Sequence, residues 1–147
     1  MLLPDAQATD AFGRRLARLV QVGDVITLSG PLGAGKTSIA RGLLSALGLP
    51  GEAPSPSFAI VQPYDPPETR LPVLHVDLYR IDDPSDLDEL GLDEARWTSL
   101  LLVEWAEHAG PDAWPDALHL TLSVADDGGR VLTAEMPPGW EDRWSRI

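Results

Sequence analysis

A glycine-rich segment that contains the only lysine of the chain is the part of this sequence best suited to bind phosphate. The segment reads Gly30-Pro31-Leu32-Gly33-Ala34-Gly35-Lys36-Thr37 and matches G-x-x-x-x-G-K-[ST] at every fixed position. Glycines let consecutive backbone N–H groups approach a phosphate where a Cβ would obstruct them. In such a P-loop the lysine reaches the β and γ oxygens of a nucleoside triphosphate, and the hydroxyl of Thr37 is a ligand for Mg²⁺.

The segments on either side of the loop predict the elements that a P-loop requires. The run Val25–Ser29 is short and rich in β-branched residues, which predicts a buried strand. Apolar residues recur at helical spacing over Thr37–Leu47, and Gly48 is placed to end that helix. The N-terminus of the helix would then point its positive end at the bound phosphates.

Two acidic residues are candidates for the carboxylate that holds Mg²⁺ in P-loop enzymes, directly or through water. Asp77 follows the apolar run Val73–Val76, and Glu104 follows Leu100–Val103. Ligands gather at the carboxyl ends of the strands in open α/β sheets, so either residue would lie near the loop. The spacing alone does not decide between them.

The remaining patterns predict one domain over residues 1–147 that contains both strands and helices. Further predicted elements are a helix over Ala8–Val20 capped by Asp5 or Thr9, an antiparallel pair of Phe58–Val61 with Val73–Val76, short helical turns in the acidic segment Asp82–Glu94, a hairpin of Leu118–Val124 with Val131–Met136, and a short tail helix anchored by Trp140 and Trp144.

Composition restricts the partners that we expect. The chain has 23 acidic and 11 basic side chains, a formal net charge of −12 and no cysteine. A net negative charge opposes direct binding to a nucleic-acid backbone, so any service to nucleic acid is expected to pass through another protein. The sequence shows neither the features of a signal peptide nor an apolar run of about 20 residues, so we expect a cytoplasmic protein that does not bind membranes.

The single lysine also restricts the class of nucleotide enzyme. GTPases read guanine through an N/T-K-x-D element, which cannot exist here because Lys36 already belongs to the P-loop. ATP is therefore the expected nucleotide. A small-molecule P-loop kinase is the alternative enzyme, with Arg80 and Arg96 as the mid-chain arginines available to a lid. A nucleotide-gated binding module without relevant hydrolysis is the non-enzyme alternative.

Several short motifs together resemble one family. They are G-P-L-G-A-G-K-T-S over 30–38, S-P-S-F over 55–58, H-V-D-L-Y-R over 75–80, E-L-G over 89–91 and V-E-W over 103–105. In their order and spacing they are similar to the TsaE family, formerly YjeE, small bacterial ATPases associated with threonylcarbamoyladenosine formation in tRNA. The resemblance runs from about Asp5 to the hairpin near Arg130.

The resemblance implies an α/β P-loop NTPase fold, a single domain with a central mixed sheet flanked by helices. It also implies a division of roles. It makes Thr37 and Glu104 the Mg²⁺ ligands, places Asp77 beside the γ-phosphate to orient the attacking water, and makes the segment Ser55–Phe58 a switch-like loop. It implies slow, Mg²⁺-dependent ATP hydrolysis that is stimulated by TsaD and TsaB, the pair that modifies the adenosine next to the anticodon. Contact with tRNA is then indirect, through the complex.

The sequence therefore yields one set of expected site residues. Lys36 and Asp77 are the expected catalytic residues. The residues expected to bind ATP are Leu32, Gly33, Ala34, Gly35, Lys36, Thr37, Ser38, Ser57 and Arg130. The family usually has Thr at position 57 and often Pro at position 106, where this chain has Ser57 and Ala106. Trp105 is open to two interpretations, a packed aromatic behind the Mg²⁺ site or a residue that contacts the nucleotide or a partner.

Overall fold

The computed structural model describes residues 1–51, 61–110 and 112–147. Its strands are β1 Leu2–Leu3, β2 Val25–Ser29, β3 Val61–Tyr64, β4 Val73–Asp77, β5 Leu100–Glu104, β6 Leu118–Val124 and β7 Arg130–Glu135. Its α-helices are α1 Ala6–Leu16, α2 Lys36–Ala46, α3 Leu92–Ala95 and α4 Glu141–Trp144. Three 3₁₀ turns cover Pro84–Leu90, Ala106–Ala109 and Pro138–Trp140.

The strands form one mixed sheet in the order β1-β7-β6-β2-β5-β4-β3. The four central strands β6, β2, β5 and β4 run parallel, while β7, β1 and β3 pair antiparallel at the edges. Parallel neighbours end at the same edge of the sheet, so the segments that follow β2, β4 and β5 meet there. This arrangement confirms the predicted α/β fold with a central mixed sheet and flanking helices.

Alternation along the strands decides which side chains face the two long helices. Leu100 and Leu102 of β5 pack in the cluster formed by α1 and α2, whereas Leu101 and Val103 pack on the opposite face. Glu104 continues the first series because side chains two positions apart lie on the same face. Val73, also packed on the α1–α2 face, places His75 and Asp77 of β4 there by the same rule. The face under α2 thus carries polar side chains at its carboxyl edge.

Two glycines allow α1 and α2 to approach each other closely. A Cβ at Gly13 would overlap the carbonyl oxygen of Ile39, and a Cβ at Gly42 would overlap the carbonyl oxygen of Asp10. Each helix therefore offers a glycine where the backbone of the other comes nearest. Since α2 begins directly after the glycine-rich loop Gly30–Gly35, this contact also fixes the position of the loop against α1.

Most predicted elements are present, with small shifts at their ends. The strands Val25–Ser29 and Leu118–Val124 have the predicted bounds, and α2 begins one residue earlier than predicted. Helix α1 ends at Leu16, four residues before the predicted end, and Asp5 caps it by accepting a hydrogen bond from the N–H of Ala8 at 2.8 Å. An antiparallel partner of β4 is present, but it is Val61–Tyr64, which shares only Val61 with the predicted Phe58–Val61. Residues 58–60 of that prediction lie outside the described residues.

The C-terminal segment folds back onto α1 and onto the start of β2. Arg143 donates two hydrogen bonds to the carboxylate of Asp24, at 2.7 and 3.0 Å, and its guanidinium lies 3.8 Å from the centre of the Trp140 ring. Trp144 contacts Phe12 edge-on, with ring centres 5.9 Å apart. In the described ranges, no helix combines the length and apolar character that crossing a bilayer would require.

We predict that Gly13→Ala lowers the free energy of unfolding by about 1–3 kcal/mol, because the new methyl group must push the backbone of α2 away. Alanine favours helix formation over glycine by about 1 kcal/mol, so a loss would run against intrinsic propensity. Urea denaturation measures the change. Gly139→Ala is the matched control, since a Cβ there meets nothing within 4 Å; equal stabilities of the two variants would contradict the packing argument.

Candidate nucleotide-binding site

The loop between β2 and α2 has the backbone conformation that a phosphate cradle requires. Gly30 has φ 138° and Gly35 has φ 106°, values that L side chains rarely adopt. A Cβ at Gly30 would also overlap the carbonyl oxygen of Leu122 on β6. Gly35 precedes the first residue of α2, so the helix starts directly at the loop and directs its free N–H groups towards it.

Lys36 lies at the centre of this loop and is 5% exposed. Its ammonium donates to the carbonyl oxygens of Gly30 at 2.6 Å and Pro31 at 2.9 Å. Burial lowers the pKa of Lys36 below its ordinary value, while the carboxylates of Glu107, Glu104 and Asp77 oppose that change. The ammonium is therefore held by the first residues of the loop that it closes.

A chain of hydrogen bonds links the first turn of α2 to two strands. The Thr37 hydroxyl donates to Oε1 of Glu104 at 2.7 Å, and Oε2 of Glu104 lies 2.6 Å from Nε2 of His75. His75 is fully buried and Glu104 is 2% exposed. Thr37, the residue that the motif assigns to Mg²⁺, is thus in direct contact with Glu104, one of the two candidate carboxylates.

Asp77, the other candidate, ends β4 directly beside Glu104, with which it is paired in register. Its Oδ1 accepts the backbone N–H of Tyr79 at 2.8 Å. Burial raises the pKa of the Asp77 carboxyl above its ordinary value and the charge of Glu104 acts in the same direction, while the Tyr79 hydrogen bond, His75 and Lys36 act against them. The structure therefore brings both candidate acids to one edge, with distinct surroundings.

Trp105 packs against the ammonium of Lys36. Its ring centre lies 3.8 Å from the Lys36 ammonium, a cation–π contact. Trp105 has φ 58° and is the one non-glycine residue with positive φ in the described part of the chain. Its ring also contacts Tyr79 and His108, with ring centres 4.9 and 5.5 Å away. The structure favours a packing role behind the site, and contact with a nucleotide or partner stays a prediction.

Arg130 reaches the loop from the hairpin between β6 and β7. Its Nε donates to the carbonyl oxygen of Ala34 at 3.0 Å and its Nη2 to that of Gly33 at 3.1 Å. Hydrogen bonds to the carbonyls of Gly128 and Gly129 hold the same guanidinium to its own hairpin. Arg130 therefore braces the carbonyl side of the loop, while its predicted contact with the nucleotide stays untested.

A cavity of about 140 Å³ continues from the loop towards α1 and the hairpin. Its lining comprises Leu3, Asp5, Ala6, Thr9, Gly33, Gly35, Ser38, Gly128 and Arg130. The open side of the loop faces free space, since a Cβ at Gly33 would meet nothing within 4 Å. Space for a ligand thus adjoins the loop on the side where Ser38 lies.

The charges around the ammonium are unbalanced. Besides Glu104 and Asp77, Glu107 lies nearby, where its Oε2 accepts the N–H of Gly30 at 3.1 Å. Three carboxylates thus act on one lysine, and a polyphosphate would meet net negative charge unless a cation accompanied it. Among the described residues no group of three His, Asp or Glu side chains is arranged to hold a metal alone. Mg²⁺ usually takes one or two protein carboxylates together with phosphates and waters, which fits the Thr37–Glu104 pair.

The structure brings most of the predicted site residues to one place. Lys36, Thr37, Asp77, Glu104 and Arg130 surround the loop, whereas the segment Ser55–Phe58, including Ser57, lies outside the described residues. Sequence reasoning missed His75 and Glu107. Strand alternation could have indicated His75, because a residue two positions before Asp77 on a strand must share its face. No sequence pattern indicates Glu107, since its position depends on the turn that follows Trp105.

Comparisons with known proteins agree on one family. The sequence profile of the family described as "Threonylcarbamoyl adenosine biosynthesis protein TsaE" matches residues 3–132. The chain is 38% identical over 136 residues to the Streptomyces coelicolor protein named tRNA threonylcarbamoyladenosine biosynthesis protein TsaE, covering 90% of this chain and 91% of that one. A Bacillus subtilis protein of the same name is 36% identical over 128 residues, covering 86% and 78%.

A solved structure agrees as well. The crystal structure of Bacillus subtilis YdiB superposes with a TM-score of 0.79 at 30% identity, covering 99% of this chain and 89% of that one. Family profile, relatives and structure thus coincide over nearly the whole chain. This chain belongs to the TsaE family.

Proposed function

We propose that this chain binds ATP with Mg²⁺ and hydrolyses it slowly, as an accessory subunit of TsaD and TsaB in tRNA threonylcarbamoyladenosine formation. The relatives named above carry this pathway in their names. We further propose that residues 1–147 act as one nucleotide-binding domain in the cytoplasm. Contact with tRNA passes through the complex, in keeping with a net charge of −12.

The observation that carries the proposal is the position of Lys36. A buried ammonium sits inside a glycine-rich loop, and the two strand-end acids Asp77 and Glu104 lie close enough to act on its charge. This combination of one buried cation and paired carboxylates serves phosphate transfer in P-loop enzymes. A glycine-rich turn that only capped a helix would not require either carboxylate.

Each residue has a distinct part in the proposed reaction. Lys36 exchanges the carbonyls of Gly30 and Pro31 for phosphate oxygens of ATP and stabilises the negative charge that shifts during transfer. Backbone N–H groups of the loop and of the first turn of α2 hold the remaining phosphate oxygens. Asp77 accepts a hydrogen bond from the attacking water and aligns it with the γ-phosphate.

Thr37 and Glu104 are the proposed ligands of Mg²⁺. Their oxygen atoms are the ligand type that this cation prefers, and they already lie within hydrogen-bond distance of each other at 2.7 Å. Bound Mg²⁺ supplies positive charge that offsets the phosphates. Ser57, outside the described residues, remains the proposed hydroxyl of the switch-like loop.

One of the two arginines proposed for a kinase lid, Arg96, is occupied by other contacts. Both ends of the Arg96 guanidinium donate to the carboxylate of Asp116, at 3.1 and 2.7 Å, and Nη2 also donates to the carbonyl of Gly23. Gly23 precedes β2 and the loop follows it, so Arg96 lies at the opposite end of the strands from the loop. It therefore cannot serve as a lid residue over the phosphates from this position.

We predict that Lys36→Met weakens ATP binding by about 10- to 100-fold, since hydrogen bonds to a charged group contribute roughly 1.5–3 kcal/mol. Isothermal titration with ATP and Mg²⁺ measures the change. Arg15→Met is the matched control, because it removes the same charge from an exposed position on α1. Equal losses in both variants would mean that net charge, and not the loop, governs affinity.

For Asp77→Asn we expect hydrolysis to fall by about 100-fold or more, as for other groups that act on a nucleophile, with ATP binding retained. The same change should stabilise the metal-free fold at neutral pH. Asp77 has a raised pKa when folded, so the folded state binds its proton more tightly than the unfolded chain does. Its ionisation therefore lowers the free energy of unfolding as pH rises from the ordinary pKa of 3.8 through the raised one.

Because Asn does not ionise, the stability advantage of this variant should be fully present above the raised pKa and shrink as pH falls towards the ordinary pKa. Denaturation in EDTA across that range checks the trend. A variant that was less stable than the parent at every pH would contradict the assignment, and one with undiminished hydrolysis would remove Asp77 from the reaction.

The pathway assignment is tested by partner dependence. We expect slow hydrolysis by the isolated chain, and a clear rise in phosphate release when the TsaD and TsaB proteins are added, with Lys36→Met plus both partners as the background control. Phosphate release that ignored the partners would count against the accessory role. A metabolite that gained the γ-phosphate, detected by mass spectrometry, would instead favour the kinase.

A further inference from the structure

His75 is a buried polar residue that the proposed reaction does not use. It is fully buried at the centre of β4, and its Nε2 lies 2.6 Å from Oε2 of Glu104. Burying a polar ring under a helix costs free energy unless its polar atoms find partners. An apolar residue such as the neighbouring Val73 and Val76 would pack there without that cost, so the contact with Glu104 is the feature that needs explanation.

The ring makes its hydrogen bond through one nitrogen. Within the described residues Nδ1 has no hydrogen-bond partner, whereas Nε2 faces the carboxylate. A carboxylate accepts, so Nε2 carries a proton and donates it to Glu104. The contact therefore requires a proton on Nε2.

The two oxygens of Glu104 then have different donors. The Thr37 hydroxyl occupies Oε1 at 2.7 Å and His75 occupies Oε2 at 2.6 Å. A carboxylate held at both oxygens has a defined plane, whereas one held only by Thr37 is free to rotate about its last torsion. Residues that hold a metal ligand in this manner are a recurring feature of metal sites.

We infer that His75 is a positioning residue, which orients the Glu104 carboxylate so that Oε1 is presented beside Thr37 for the divalent cation that accompanies ATP. The inference rests on the proposed function, because Thr37 and Glu104 are metal ligands only under that proposal. It adds a residue that touches neither the nucleotide nor the cation, and it acts wholly through Glu104.

Two amide substitutions separate this role from simple packing. In His75→Gln the side-chain amide nitrogen falls near the place of Nε2 and can still donate to Glu104. In His75→Asn it falls near the place of Nδ1 and stops short of the carboxylate. Both variants bury one amide in place of one ring, so each should lose a similar amount of stability, which urea denaturation in EDTA measures.

The readout is the gain in nucleotide affinity that Mg²⁺ confers, measured with a fluorescent N-methylanthraniloyl-ATP in excess Mg²⁺ and in EDTA. We expect His75→Asn to reduce this gain by about 10- to 100-fold, the usual effect of losing such a supporting partner, while affinity in EDTA stays unchanged. His75→Gln should retain most of the gain. Equal gains in both variants, or equal losses, would overturn the positioning role.

A measurement on the unaltered chain tests the contact without any variant. Long-range ¹⁵N–¹H correlation NMR identifies which ring nitrogen of His75 bears the proton, and we expect Nε2. A ring protonated only at Nδ1 has no proton to give Glu104 and would overturn the inference. Wild-type affinity that was the same in Mg²⁺ and EDTA would instead overturn the proposed metal-dependent site, while the NMR result would still decide the contact.

Discussion

One ammonium among three carboxylates is the constraint on which the site depends. Lys36 is buried where Asp77, Glu104 and Glu107 all act on its charge, and such a group is tolerable only because it is hydrogen-bonded and surrounded by opposite charge. Removing the lysine would leave the carboxylates to repel each other, and removing the carboxylates would leave a buried cation. The charges of the loop, the strand ends and the turn after β5 therefore depend on one another.

The mixed sheet achieves this placement through simple geometry. Four parallel strands end at one edge, and alternation turns every second side chain of β4 and β5 towards α2. The helix is brought to that edge by α1, since Gly13 and Gly42 let the two backbones come into direct contact. A change at the helix contact would consequently move the loop relative to the strand ends. The close packing of α1 against α2 thus helps to position the charged residues, although it lies away from them.

Short-range sequence patterns predict the elements and the strand-end residues, but they do not predict contacts between segments that are distant in the sequence. The loop motif, the bounds of β2 and β6, and the strand-end positions of Asp77 and Glu104 all follow from short-range spacing. Contacts between distant segments do not: the hydrogen bond from His75 to Glu104 joins residues 29 positions apart. The hydrogen bonds from Arg130 to carbonyls of the loop likewise join residues 96 and 97 positions apart. The left-handed backbone of Trp105 was also beyond prediction, because nothing in a tryptophan favours that conformation.

Trp105 bears on the slow hydrolysis that we propose. A non-glycine residue in the left-handed region costs of order 1–3 kcal/mol, and such strain persists only where the surroundings impose it. Here the ring packs against Tyr79 and His108 and lies 3.8 Å from the Lys36 ammonium, which is also bonded to two loop carbonyls. Under the proposed function, ATP would exchange existing contacts of Lys36 for new ones, and only the difference between the two sets would contribute to binding and to transition-state stabilisation. The Trp105 ring is one of those existing contacts, so the strained packing behind it belongs to the same balance as the hydrogen bonds of the ammonium.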